Sequence, residues 1–370
     1  MNIVEINVPL YEAAWLPWAV QYFFFIGLST AAALVAALAD LGGGERWRGI
    51  QPAAMLLALS TAVVAPVALL ADLAQPGRFW HFYAYFTPWS WMSIGSILLP
   101  AYVGVLFVYG LLWQRERVRD SHAPGWLAWL GRGNWSGRKL LPVAAAATVV
   151  LALSILLYTG SEVMVVRARV LWHTLWLPVN LALTALVGAL GGVLLLQHWC
   201  AGCAQAEAGR PFANRLLLAA LLLTTLCALG WAASGMLLGG ASFNEALRLF
   251  QQYGYWKLLF IASLVVGLVL VGGSLRALRS PVWLERSWLR GALALLAAWS
   301  FRWAVLMDVQ TVPKYGAGLY PYQLPLGSDG LLGIAATFGL WAAMLMLLAM
   351  ALGLDDPQDD EAIWERGAHG

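Results

Sequence analysis

The sequence predicts a polytopic, all-α membrane protein, a bundle of about nine transmembrane helices, and three observations carry that prediction. Hydrophobic residues make up 61% of the 370-residue chain. Charged residues are only 11%, against about 25% in soluble domains. The charges are gathered into short stretches between apolar runs, each near the roughly 20 residues a helix needs to cross a bilayer.

The runs are expected, in order, at residues 15–39, 51–73, 89–113, 141–158, 172–197, 214–238, 256–275, 290–309 and 330–352. Together they form one integral membrane domain, and an acidic tail occupies 353–370. The second run contains Pro66, which removes a helical hydrogen bond to the Ala62 carbonyl and predicts a kink. Gly104, Gly188, Gly191, Gly192, Gly267, Gly272 and Gly273 are expected where helices approach closely. No soluble domain, coiled coil or repeat is evident. Residues 1–14 carry Glu5 and Glu12 with no Lys or Arg, so a cleaved signal peptide is not expected.

Charge sets the orientation. With alternating spans, 15 Lys and Arg residues fall on the side opposite the N-terminus and six on the N-terminal side, and Arg302 lies inside a run. Positive residues concentrate in the cytoplasm. The expectation is therefore an N-terminus on the outer side of the membrane and a C-terminal tail in the cytoplasm.

Several functions are disfavoured by counting. Three cysteines are too few for a protein-held iron–sulfur cluster, which takes about four thiolates. Cys200 and Cys203 form a CxxC, but it closes an apolar helix rather than opening one. The five histidines (His81, His122, His173, His198 and His369) lie in loops, helix ends or the tail, so no pair faces another inside the bundle to hold haem. No metal is expected on this chain, and the net charge of +3, distributed by topology, suggests no nucleic-acid partner. Membrane lipid is the expected surroundings.

Polar and aromatic groups converge on the N-terminal side. The first run places Trp18, Gln21 and Tyr22 within about two helical turns of the boundary. The second and third are joined by a loop carrying Asp72, Arg78 and His81 among dense aromatics. The fourth ends Tyr158-Thr159-Gly160-Ser161-Glu162, and the fifth begins Trp172-His173. An acid and a histidine beside tyrosines can hydrogen-bond a quinone head and relay its protons, because imidazole titrates near neutrality and phenol both donates and accepts. Each residue also has a plainer reading: Tyr158 as part of an interfacial aromatic belt, His173 as a helix-start residue, Glu162 as a solvated loop charge. Asp72 is the hardest to dismiss, since an ionisable group at the end of a membrane helix needs a partner or a purpose. Arg302 and Asp308, six residues apart in the eighth run, fall on different faces of one helix and cannot simply pair. A structural acid partner for Arg302 and a proton path both remain open.

At these residues the chain resembles the NrfD/PsrC family of quinone-reactive membrane subunits. The similar blocks are FFFIGLS, ADLAQPGRF, TPWSWMSIG, YTGSEV followed by VLWHTLWLPVN, YGYWKLLF and QTVPK. Within the family, WLPWAVQYFFFIG, WHFYAYFTPWSWM, LYTGSEV, QTVPK, and YQLPLGSDG followed by TFGLW are most similar to the membrane subunits of tetrathionate reductases. The blocks span residues 15–341.

The resemblance implies an anchor that oxidises quinol, menaquinol being the expected species. Its implied partners are a ferredoxin-like iron–sulfur subunit and a molybdopterin catalytic subunit on the periplasmic side, in anaerobic respiration. It implies that Tyr158 contacts the quinone head and that Asp72 transfers a proton; the residues themselves offer His81 as the alternative proton acceptor. Where a related member has a histidine in the first helix, this chain reads WAVQY, and Trp18 or Gln21 stands in that place. Tyr22 and Glu162 complete the expected quinone site. A proton- or ion-translocating transporter bundle, a passive anchor, and a subunit of a related polysulfide or thiosulfate reductase are the competing readings. The inverted repeats and broken helices expected of a transporter are not seen in the sequence.

Overall fold

The computed structural model describes residues 13–119, 129–132, 136–203, 209–312, 319–320 and 322–354. The acidic tail from residue 355 onward and Lys314 of the QTVPK block lie outside the described residues. Nine helices among them are long and apolar enough to cross a membrane. They are α1 (Pro17–Asp40), α2 (Gln51–Asp72), α3 (Trp91–Arg119), α4 (Leu141–Met164), α5 (Trp176–Trp199), α6 (Gly209–Leu238), α7 (Gly254–Ala277), α8 (Ser287–Trp303, whose span runs on to Thr311) and α9 (Leu331–Ala351). No strand occurs among the described residues. The protein is therefore a multi-pass, all-α membrane protein.

The first helix sits at the centre. Every residue from 19 to 33 is buried, because α2, α4, α5, α8 and α9 all pack against α1. A helix apolar all round is stable only with protein or lipid on every side. By contrast α9 buries only Gly333 and Thr337, and its remaining surface is apolar enough for lipid. The close approach of α5 and α8 rests on glycine: a Cβ at Gly191 would meet the Gly291 carbonyl at 2.8 Å, and one at Gly291 would meet the Gly191 carbonyl at 2.5 Å. Gly188, Gly192 and Gly273 are similarly crowded, whereas Gly104, Gly267 and Gly272 have nothing within 4 Å, contrary to expectation. The α2 helix runs on through Pro66 to Asp72.

Polar rungs tie α1 to α3. Gly95, Tyr102 and Tyr109 are spaced by seven residues and so share one face of α3. Tyr102 Oη and Ser29 Oγ are 2.8 Å apart, and Ser29 Oγ also donates to the Ala58 carbonyl at 2.9 Å. Two turns further, Tyr109 Oη donates to Asp40 Oδ2 at 2.6 Å and to the Ala36 carbonyl at 3.0 Å. Gln51 Nε2 donates to the same Asp40 oxygen at 2.6 Å.

The eighth span changes pitch near its end. Ala304–Asp308 forms a π-helical turn and Val309–Thr311 a 3-10 turn. The π-turn carbonyl of Val305 accepts the Trp172 indole N–H at 2.6 Å. The carbonyls of Val309, Gln310 and Val312 accept from Arg169 Nη1. One arginine thus satisfies acceptors that a helix end leaves without partners.

Candidate functional site

The face from which α1 starts gathers most of the residues singled out in the sequence. The α4 helix does not stop at Tyr158 but continues to Met164. This is possible because Gly160 packs directly on Pro178 of α5, where a Cβ would come within 2.5 Å of the proline Cα. Tyr158 and Glu162 are therefore one turn apart on the same side of a helix. Glu162 is a partly buried helical residue rather than a solvated loop charge.

Tyr158 is 6% exposed, and its phenol lies beside the Glu162 carboxylate. Tyr22, from α1, comes within electrostatic reach of both. Tyr22 is 2% exposed, and its buried hydroxyl has no hydrogen-bond partner among the described residues. Most buried polar groups are paired, so an unpaired phenol beside a phenol and a carboxylate is an exception that calls for a reason. The floor beneath Tyr158 is Gly95 of α3, where a Cβ would run into Tyr158 Cζ and Oη. Gly95 is a residue of the candidate site that sequence reasoning missed, although it closes the TPWSWMSIG block.

Asp72 ends α2 and reaches the start of α1. Its Oδ1 accepts the Leu16 backbone N–H at 3.3 Å and lies over the N–H of Ala19. These amides flank the entry to α1, where the apolar side chain of Leu16 supplies no cap and the Ala19 N–H donates to the Leu16 carbonyl at 3.0 Å. On the other side Gln310 holds Trp15 by both ends of its peptide: Oε1 accepts the N–H at 3.0 Å and Nε2 donates to the carbonyl at 3.1 Å. The entry to α1 is thus clamped from α2 and from the eighth span.

The other expected residues point elsewhere. Trp18 turns toward α9, donating from Nε1 to Asp329 Oδ1 at 3.4 Å. Gln21 faces α8, where its Oε1 accepts from Trp299 Nε1 at 3.3 Å and its Nε2 is buried without a partner among the described residues. His81 sits in the short helix His81–Ala84 with its ring against Trp80 and Tyr85, at centroid distances of 4.0 and 5.5 Å. No hydrogen bond joins its imidazole to Asp72, Tyr158 or Glu162 among the described residues. His173 precedes α5, and its Nδ1 donates to the Met164 carbonyl at 2.9 Å, closing the end of α4.

Above this region the loop is exposed and aromatic. Trp80 is 51%, Tyr85 70% and Trp89 83% exposed. Trp and Tyr at the ends of membrane spans are the residues that sit at the headgroup level of a bilayer.

Arg302 is fully buried, with no ion-pair partner among the described residues. Nε donates to the Phe23 carbonyl at 3.2 Å, Nη1 to Thr184 Oγ1 and the Ala298 carbonyl at 3.0 Å each, and Nη2 to the Leu181 carbonyl at 3.0 Å. Four neutral acceptors on α1, α5 and α8 hold it. Asp308 lies apart from it, against Tyr255 and Trp303. Among the described residues no three His, Cys, Asp or Glu side chains are close enough to hold a metal ion.

Comparison with known proteins shows the family. A family model described as polysulphide reductase, NrfD, matches residues 9–314. The C subunit of tetrathionate reductase from Salmonella typhimurium is 35% identical over 362 residues, covering 95% of both sequences. The C polypeptide of polysulfide reductase from Wolinella succinogenes is 28% identical over 200 residues, which is 53% of this protein and 62% of that one. The C subunit of selenate reductase from Mesobacillus selenatarsenatis is 24% identical over 209 residues, 51% of this protein and 49% of that one.

Proposed function

The chain belongs to the NrfD family, and from that premise we propose that it anchors a periplasm-facing reductase in the membrane and oxidises quinol for it. Tetrathionate is the proposed terminal acceptor, reduced on a molybdopterin subunit. A ferredoxin-like iron–sulfur subunit links the two, docked over the exposed aromatic loop around Trp80, Tyr85 and Trp89. The reading is supported by the cover of the tetrathionate reductase relative, 95% of both sequences. It places the N-terminus in the periplasm and the C-terminus in the cytoplasm, as the charge distribution favours.

The observation that carries the chemistry is the Tyr22, Tyr158 and Glu162 group with its unpartnered Tyr22 hydroxyl. A quinol head presents hydroxyls at its two ends and an apolar ring between them. Two buried phenols and a carboxylate match the hydroxyls, and the apolar packing around α1 excludes water. Menaquinol reaches the site from the outer leaflet, with its head among α1 to α4 beneath the loop after Asp72. Tyr158 bonds one head-group oxygen, and protons leave outward by an acid or a histidine of this face. Electrons pass to the nearest iron–sulfur cluster of the partner. Electrons and protons leave on one side, so this route moves no net charge across the membrane.

The test is Tyr158→Phe in the purified complex. Losing one charge-assisted hydrogen bond costs about 1.5–3 kcal/mol, or roughly one to two decades in rate when the bond acts in the transition state. Quinol-driven tetrathionate reduction should fall by that factor, while reduction driven by an artificial dye feeding the partner subunits should be spared. If both fall together, Tyr158 holds the complex together instead. If neither falls, the quinol site is elsewhere.

A further inference from the structure

Two carboxylates end helices at the face where α1 begins, Asp72 in α2 and Glu162 in the last turn of α4. By residue type alone either could take the protons of a quinol. Their surroundings separate them.

Asp72 is occupied. Its Oδ1 accepts the Leu16 N–H at 3.3 Å, beside the N–H of Ala19. It does from a neighbouring helix what the carboxylate of a capping box does within one, and its charge faces the positive end of the α1 dipole. Tyr22 follows within two turns, so this cap sets the depth at which the Tyr22 hydroxyl sits. Glu162 is differently placed. It lies against Tyr158, with the unpartnered hydroxyl of Tyr22, a residue 2% exposed, facing the pair. Tyr158 on its own helix and Tyr22 on the opposing one are the titratable groups that face it.

We infer that Glu162 receives the quinol protons through Tyr158, and that Asp72 is a positioning residue that seats α1. The inference rests on the quinol-oxidising reading above. With Glu162 ionised, the Tyr158 O–H is committed to the carboxylate and its lone pairs are left to accept a quinol hydroxyl. Proton transfer along this pair then protonates Glu162, after which the phenol hydrogen is free for a quinone carbonyl. The reaction balances: quinol loses two electrons, singly, to the iron–sulfur acceptor of the partner. Its two protons pass one after the other to Glu162 and from there to the outer solution.

The experiment uses the intact complex carrying Asp72→Asn, Asp72→Ala, Glu162→Gln or Tyr158→Phe. Asparagine caps a helix about as well as aspartate, so Asp72→Asn should keep quinol-driven turnover within about threefold of the parent. Asp72→Ala should raise KM for quinol and speed amide exchange over residues 16–20. Glu162→Gln should lower kcat about a hundredfold, the range of a lost acid–base group, with KM held. Infrared difference spectra of quinol oxidation should show a carboxylic-acid band that Glu162→Gln removes and Asp72→Asn retains.

If Asp72→Asn is as slow as Asp72→Ala and loses the band, Asp72 is the acceptor and the inference is wrong. If Glu162→Gln also loses dye-driven activity, Glu162 is structural and the inference is equally overturned. If Tyr158→Phe slows turnover but Glu162→Gln does not, the quinol site stands and only the proton assignment falls. If Tyr158→Phe changes nothing, the site reading itself fails.

Discussion

Gly95→Ala tests the site without touching any group that performs chemistry. The added Cβ would overlap Tyr158 Cζ and Oη. Since α3 cannot back away from α4 without breaking its own packing, the phenol must move. Overpacking of this kind costs about 1–3 kcal/mol in stability, which a multi-span bundle tolerates. The functional cost should be larger, because a displacement of about 1 Å at a reacting centre can lower the rate about a hundredfold. The assay is the ratio of quinol-driven to dye-driven tetrathionate reduction by the assembled complex, with Gly104→Ala as the control. Gly104 shares α3 but has nothing within 4 Å, so alanine there should be neutral or favourable by up to about 1 kcal/mol. The expected result is a ratio that collapses in Gly95→Ala and is unchanged in Gly104→Ala. An assembled Gly95→Ala complex with an unchanged ratio would refute the placement of the phenol as a determinant of turnover.

Two further outcomes are expected. Gly27→Ala would set a Cβ 2.9 Å from Arg302 Nη2 and 3.3 Å from the Ala185 Cβ, so the complex should lose about 1–3 kcal/mol, read as a lower Tm; an unchanged Tm would show that Arg302 is free to swing aside. A reporter fused to the C-terminus should be active only on the cytoplasmic side, and periplasmic activity would reverse the proposed orientation.

The nine spans were legible because bilayer thickness sets a length and hydrophobicity that local sequence must satisfy. The end of the fourth was not. Thr159-Gly160-Ser161 reads as a break, yet the helix persists because Gly160 lets the Pro178 backbone approach, a contact that no local window contains. That difference moved Glu162 from a loop onto the Tyr158 face. Asp72 was legible as a residue needing a partner, but its partner is a backbone amide 56 residues away, and backbone amides carry no signature in sequence. Trp18, Gln21 and Tyr22 were read as one group because they are near in sequence; the structure turns them to α9, α8 and α4 respectively. Arg302 was expected to find an acid or a proton path. It is held instead by carbonyls and one hydroxyl, acceptors present on every helix and therefore invisible as a pattern.

The seven-residue spacing of Gly95, Tyr102 and Tyr109 has a mechanical consequence. Between membrane helices apolar surfaces slide with little penalty, since lipid is as apolar as leucine. The Ser29–Tyr102 and Asp40–Tyr109 bonds remove that freedom, because a slip of α3 along α1 strands buried hydroxyls at about 1–3 kcal/mol each. The two helices therefore act as a ruler running from Asp40, at the far end of α1, to the floor of Tyr158. Load applied at one end is borne along the whole length. The height of the floor beneath the Tyr158 phenol is thereby fixed against slippage of either helix.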